Sequence, residues 1–194
     1  MIWLSIRVKG RTWSNLIDGY ANIIKTLLKD YPNLTIVFDG FSIPPNSRKF
    51  GTSNYTDLIQ AEHDVVNEIV RKVNVKFNFC NIIGQSLDVS FFWTQLVDLY
   101  ITHHGTIQHK IGWFTTELGI IHTNKLITMK PEKSHQGSFD RKDARIPLYL
   151  QPHLITDIDE MVKTRSGQLK NGENRNYNFD WKEIIKLINS NFKF

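Results

Sequence analysis

The chain has one cysteine, Cys80, in 194 residues, so no disulfide can close within it and a reducing compartment is the simpler expectation. No apolar run is long enough to cross a bilayer as a helix, and the N-terminus lacks the pattern of a signal peptide. The formal charge is +5. Its positive residues are scattered, and no Lys/Arg block marks a nucleic-acid-binding arm, so nucleic acid is not an expected partner. There is no internal repeat and no low-complexity segment. Walker loop, Gly-x-Gly-x-x-Gly, Gly-x-Ser-x-Gly and His-Glu-x-x-His are all missing. These absences argue against an ordinary NTPase, a dinucleotide dehydrogenase, a serine hydrolase and a zinc protease. His103, His104, His109 and His122 fall in a short window, but their spacing matches no zinc signature, and neither metal nor cofactor is expected.

What the chain does have is the composition of a packed protein: 41% hydrophobic and 12% aromatic residues, enough for a real core. Its apolar pattern alternates between short continuous runs and helical spacing. Ile2 to Val8 reads as a first strand with Gly10 in the following turn. A chain that opens on such a strand is expected to be a piece of a larger protein. Ser14 is the expected N-cap of a helix carrying Leu16, Ile17, Tyr20, Ile23, Ile24, Leu27 and Leu28. Leu34 to Phe38 reads as a strand buried on both faces. After a loop over Pro44 to Asn54, a second helix follows from Leu58 to Val73, then a strand from Val75 to Ile83 with Cys80 as a small core residue. Leu87 to Val97, Leu99 to Thr102, Ile107 to Thr116 and Gly119 to His122 continue as helix, strand, helix, strand.

The alternation predicts an α/β fold: a Rossmann-like parallel sheet flanked by helices, with right-handed crossovers. One domain is expected over 1–194, with a core over 1–125 and a loop-rich extension over 126–194. In the extension, Leu126 to Met129 reads as a short strand, Pro131 to Arg145 as loop, Ile146 to Leu154 as an extended segment, and Gly167 to Asn178 as a mobile loop. Asp180 and Glu183 form a capping box that opens a final helix.

The stretch Asp98-Leu99-Tyr100-Ile101-Thr102-His103-His104-Gly105-Thr106-Ile107-Gln108-His109-Lys110 concentrates the chemistry. It runs from strand through a glycine-bearing turn into a helix, the place where parallel sheets hold ligands. Free N–H groups at a helix start suit a phosphate, and two imidazoles beside them are expected to add donors that carry charge near neutral pH. Adjacent residues on an extended segment point to opposite sides, so at most one of His103 and His104 should face a ligand. Gly105 and Thr106 fit phosphate approach. His109 lies on the first turn of the helix.

Other loops should meet this one at the same sheet edge. Arg7, Lys9 and Arg11 are candidates to clamp a diphosphate, or else form a solvated basic turn. Asp39 would accept from a sugar hydroxyl or cap its own turn. Gly84 and Gln85 would lie near a nucleobase or make a plain turn with Ser86. His122 to Asn124 complete the expected rim.

"TIVFDGFS" at Thr35 to Ser42, "NIIGQSL" at Asn81 to Leu87 and "DLYITHHGTIQHKIGW" at Asp98 to Trp113, with Arg7 and Arg11 after the first strand, together resemble the C-terminal, donor-binding half of a GT-B type bacterial glycosyltransferase. The resemblance covers about the first two-thirds of the chain at the level of element order. It implies a nucleotide-sugar donor, with the diphosphate on Gly105 and Thr106 and the base near Gly84 and Gln85. It implies a glycan acceptor in surface polysaccharide or lipooligosaccharide synthesis, and a missing N-terminal domain. Catalytic candidates are His104 and Glu117, the latter the nearest counterpart of a retaining enzyme's acid, though its spacing is not diagnostic. The implied location is the cytoplasm or the inner face of the membrane, with room for peripheral membrane association or a homo-oligomer. The alternative is a non-catalytic α/β module for protein–protein interaction or oligomerisation, in which Phe91, Phe92, Trp93 and Trp113 form an interface.

Overall fold

A computed structural model describes residues 1–43, 53–130, 145–158 and 175–192. Within these the elements are β1 (Ile2–Ser5), α1 (Leu16–Asp30), β2 (Thr35–Asp39), α2 (Ser53–Val73), β3 (Asn78–Asn81), α3 (Leu87–Thr94), β4 (Leu99–His103), α4 (Thr106–Gly112), β5 (Gly119–His122), α5 (Lys125–Thr128), β6 (Leu148–Tyr149), a 3-10 turn (Pro152–Leu154), β7 (Thr156–Ile158), β8 (Asn176–Asn178) and α6 (Lys182–Asn191). Six strands form one sheet in the order β3-β2-β1-β4-β5-β6, and every pairing in it is parallel. This is the Rossmann-like α/β architecture that the alternating pattern predicts.

The central strands read as continuous apolar runs because both faces are covered. Ile2, Leu4, Ile36, Phe38, Leu99, Ile101 and Ile120 face one cluster, shared with the apolar stripes of α1, α2 and α6. Trp3, Val37, Tyr100 and Ile121 alternate to the opposite face, where they meet Val97 and Ile111. Gly119 lies opposite Tyr100 on the neighbouring strand. A Cβ there would come within 1.8 Å of the Tyr100 ring, so only glycine lets this large ring lie across β5.

Several local expectations are corrected. Asn15, not Ser14, is the residue before α1, and its side chain makes no cap bond. Ser53 and Asn54 belong to α2 rather than to the preceding loop. Cys80 is only half-buried, because β3 is an edge strand. Leu126 to Met129 is not a strand. Asn124 accepts the Ile127 N–H at 3.1 Å, which starts a helical turn that the β-prone side chains disguise. Ile146 to Leu154 carries β6 and then the 3-10 turn. Asn176 to Asn178 is not loop but β8, antiparallel to β7. Asp180 accepts the Lys182 N–H at 3.0 Å, while Glu183 pairs with Lys186 at 2.7 Å instead of closing a capping box. The loops expected over 44–52, 131–144 and 167–174 lie outside the described residues.

Candidate functional site

The strand order reverses between β1 and β4. β1 runs on to β2 on one side, and β4 starts the other half, so the crossovers leave in opposite directions and a crevice opens at the carboxyl ends of this pair. A cleft of about 530 Å³ occupies that position. Its walls are the loop after β1 (Ile6, Arg7, Lys9, Arg11), the loop after β2 (Gly40, Phe41, Ser42), two side chains of α2 (Leu58, Glu62), Leu87, and the β4–α4 turn (His103, Gly105, Thr106, Ile107) with Lys110 behind it.

The cationic part is built at the Gly10–Arg11 turn. Both residues have left-handed backbone, φ 63° and 53°. Glycine adopts this without cost, but an arginine there is strained by roughly 1–2 kcal/mol. The turn brings both guanidinium groups over Gly105, itself at φ 131°. A Cβ on Gly105 would lie 3.3 Å from Arg11 Nη2 and 3.4 Å from Arg7 Nη1. Arg7 Nε donates to the Gly10 carbonyl at 2.6 Å, which fixes the side chain against its own loop. Among the described residues Arg7 makes no ion pair with a carboxylate. Burial, then the neighbouring Arg11, push its pKa down to about 10, so it remains a cation at neutral pH. Two like charges held together at a crevice floored by glycine present paired donors of the kind that suit a phosphate or carboxylate.

The loop is held in place by the far end of the chain. Thr12 N–H donates to Asn176 Oδ1 at 3.0 Å and Trp13 Nε1 to Asn178 Oδ1 at 3.2 Å. The Tyr177 N–H donates to the Thr12 carbonyl at 3.1 Å, and the Trp13 ring stacks on Phe179 with centroids 4.2 Å apart. β8 therefore braces the arginine turn without touching the cleft.

Lys110 and Glu62 also line the cleft, and no motif in the sequence points to either of them. Lys110 is buried and donates to Asp39 Oδ1 at 2.7 Å, the Gly40 carbonyl at 3.1 Å and Ser42 Oγ at 2.8 Å. Burial pushes the Asp39 carboxyl up to about 6, against the pull of Lys110. The Asp39 carboxylate is thus committed to Lys110 beneath the cleft. Glu62 is 5% exposed and accepts the Phe41 N–H on Oε2 at 2.7 Å. Burial raises its pKa to about 7. A signal for Glu62 existed: it interrupts the stripe Leu58, Ile59, Val65, Val66, Ile69, a carboxylate where helical spacing asks for an apolar side chain. Lys110 lies one turn after Thr106 and so on the same helix face.

Of the two adjacent histidines, His103 lines the cleft and His104 does not. Thr102 Oγ1 donates to the His103 carbonyl and Ser5 Oγ donates to Thr102 Oγ1. The Ser5 proton being spent, His103 Nδ1, 3.1 Å from Ser5 Oγ, must be the donor of that contact. Nε2 is then the unprotonated nitrogen of a side chain that lines the cleft. The expected positive charge on these imidazoles is corrected. Burial and the adjoining arginines hold the His103 pKa well below its ordinary value, and His104 falls to about 4 for the same reasons. The α4 helix has only seven residues, so the arginines rather than its dipole supply the field.

Arg7, Lys9, Arg11, His103, Gly105 and Thr106 therefore come together, while the remaining candidates do not reach the lining. Gly84 and Gln85 lace the neighbouring loops: Gly84 N–H donates to the Phe41 carbonyl at 2.8 Å, and Ile43 N–H to the Gln85 carbonyl at 2.9 Å. The His109 ring stacks on Trp113. Glu117 lies in the turn before β5, its N–H on Thr115 Oγ1. His122 is not on the rim but in the core, with Tyr177 OH 2.7 Å from Nδ1 and Tyr20 OH 3.3 Å from Nε2. Among the described residues no three His, Cys, Asp or Glu side chains are grouped as a metal site needs, and no helix is long and apolar enough to cross a membrane.

No family model matches this chain, and no curated protein matches it either.

Proposed function

We propose that the cleft binds the diphosphate of a nucleotide sugar, and that the protein is the donor-binding half of a glycosyltransferase acting on a glycan acceptor in bacterial surface polysaccharide or lipooligosaccharide synthesis. The observation that carries this reading is the convergence of the Arg7 and Arg11 guanidinium groups on Gly105 at the switch point of the sheet. Phosphate oxygens would take the paired guanidinium donors, with Lys9 as an added point charge and the Thr106 hydroxyl at the turn. In the reaction these groups would stabilise charge developing on the departing nucleoside diphosphate. On this reading the protein works in the cytoplasm or at the inner face of the membrane. Calorimetric titration with UDP, GDP, CMP and ADP, with and without a divalent cation, tests it. Saturable binding by one of them, weakened at least tenfold in Arg7→Ala, is the expected result. Equal affinity in wild type and Arg7→Ala sinks the reading.

A second reading rests on a different observation. Phe92, Leu96 and Trp113 are 63%, 46% and 43% exposed, which fits the interface of a non-catalytic α/β module. That module would lose nothing on Arg7→Ala and would show a concentration-dependent mass in sedimentation, abolished by Phe92→Ser.

A further inference from the structure

The cleft is not uniformly cationic. From α2, Glu62 puts a carboxyl group on its wall alongside Arg7, Lys9 and Arg11. Glu62 is packed so closely against the loop after β2 that a Cβ at position 40 would fall 2.2 Å from its Oε2. That oxygen is taken by the Phe41 N–H. Oε1 makes no hydrogen bond among the described residues and is not sealed from solvent, and its side chain lines the cleft. The Arg7 cation acts on Glu62 through space without an ion pair between them. A bare phosphate gains nothing from this arrangement, since a carboxylate beside it only repels. A ligand with hydroxyl groups next to its phosphates gains a charge-assisted acceptor. His103, with Nδ1 as the donor to Ser5 and Nε2 unprotonated, lines the same cleft, and an unprotonated ring nitrogen has nothing to offer an ionised phosphate oxygen.

Resting on the phosphate-binding reading above, we infer that Glu62 is the specificity residue of the cleft, with Oε1 accepting a hydrogen bond from a sugar hydroxyl of the ligand whose phosphates lie on Arg7 and Arg11. The acceptor selects phosphate esters of sugars over inorganic phosphates. The hydroxyl belongs either to the ribose or to the transferred sugar.

Glu62→Gln separates the contributions. The amide keeps its oxygen on the Phe41 N–H and presents NH2 to the cleft, turning the acceptor into a donor and removing the charge. Calorimetry at pH 8.5, above the Glu62 pKa of about 7 so that its carboxylate is ionised, compares four probes on wild type and variant: inorganic pyrophosphate, the tightest of UDP, GDP, CDP and ADP, its 2′,3′-dideoxy analogue, and its hexose conjugate. Pyrophosphate is expected to bind the variant as tightly as wild type or more so, which also reports that the variant is folded. The preference for a sugar-bearing probe is expected to fall about tenfold, the worth of one hydrogen bond to a charged group. A fall in the preference for the nucleoside diphosphate over both pyrophosphate and the dideoxy analogue assigns the hydroxyl to ribose. A fall only in the preference for the hexose conjugate assigns it to the transferred sugar. Both preferences unchanged, with pyrophosphate still bound, overturns the role of Glu62 and leaves the phosphate reading standing. No binding of pyrophosphate or any nucleotide by wild type overturns both.

Discussion

Removing the Lys110 ammonium would leave the Asp39 carboxylate buried with no cation, its remaining donors too few to solvate it. Such a loss costs about 3–5 kcal/mol, far more than the net worth of the pair, because the uncompensated charge dominates. Lys110→Met is therefore expected to lose that much in urea unfolding, and Asp39→Asn/Lys110→Met to recover most of it. If the double variant is no more stable than Lys110→Met, the cost lies in packing rather than in the stranded charge. The same residue scale limits sequence reading. Asp39 is legible as polar chemistry at a strand end, and its Asp-Gly turn with it. Its partner stands 71 positions away, and no local pattern pairs the two.

At the scale of elements, the loop after β1 owes its shape to β8. Asn176 and Asn178 supply acceptors to Thr12 and Trp13, and Tyr177 adds a backbone bridge. Asn176→Ala leaves the Thr12 N–H without that acceptor, at about 1 kcal/mol. The expected outcome is faster hydrogen exchange at Thr12 and several-fold weaker pyrophosphate binding, although Asn176 does not line the cleft. Unchanged binding with faster exchange would mean that the arginine turn holds itself. The pairing was invisible in the sequence because Asn176-Tyr177-Asn178 has turn composition and lies far from Thr12 along the chain. Strand state here comes from partners. α5 fails in the opposite sense: Leu126-Ile127-Thr128-Met129 is β-prone, and the Asn124 cap makes it helical.

The whole molecule should respond to pH in two opposed ways. Burial first of all pushes the pKa of His104 down to about 4 and of His122 to about 3, and holds His103 well below 6.5. Below pH 6.5 the unfolded chain takes up protons that these folded imidazoles refuse, so stability falls as pH drops through that window. Glu62 runs the other way. With its pKa raised from 4.5 to about 7, the folded chain keeps a proton that the unfolded chain has released, so stability falls as pH rises between those values. Asp39 adds the same sign below about pH 6. In Glu62→Gln the rise in stability from pH 5 to pH 7 is expected to be steeper than in wild type, by about 2 kcal/mol over the interval. Parallel profiles for the two proteins would refute a Glu62 whose pKa burial raises to about 7.

The sequence by itself determined the order and type of the elements through β5. Apolar periodicity is a local property, and a parallel sheet writes itself as continuous runs separated by amphipathic helices. It also determined that Arg7, Lys9, Arg11, Gly105 and Thr106 end up at one sheet edge, because the loops after parallel strands all emerge there. Tertiary structure alone decided which histidine turns inward, that β8 braces the arginine turn, that Lys110 neutralises Asp39, and that Glu62 lines the same cleft as the arginines. Each of these is a contact between residues distant in sequence, set by how helices and strands pack rather than by any pattern along the chain.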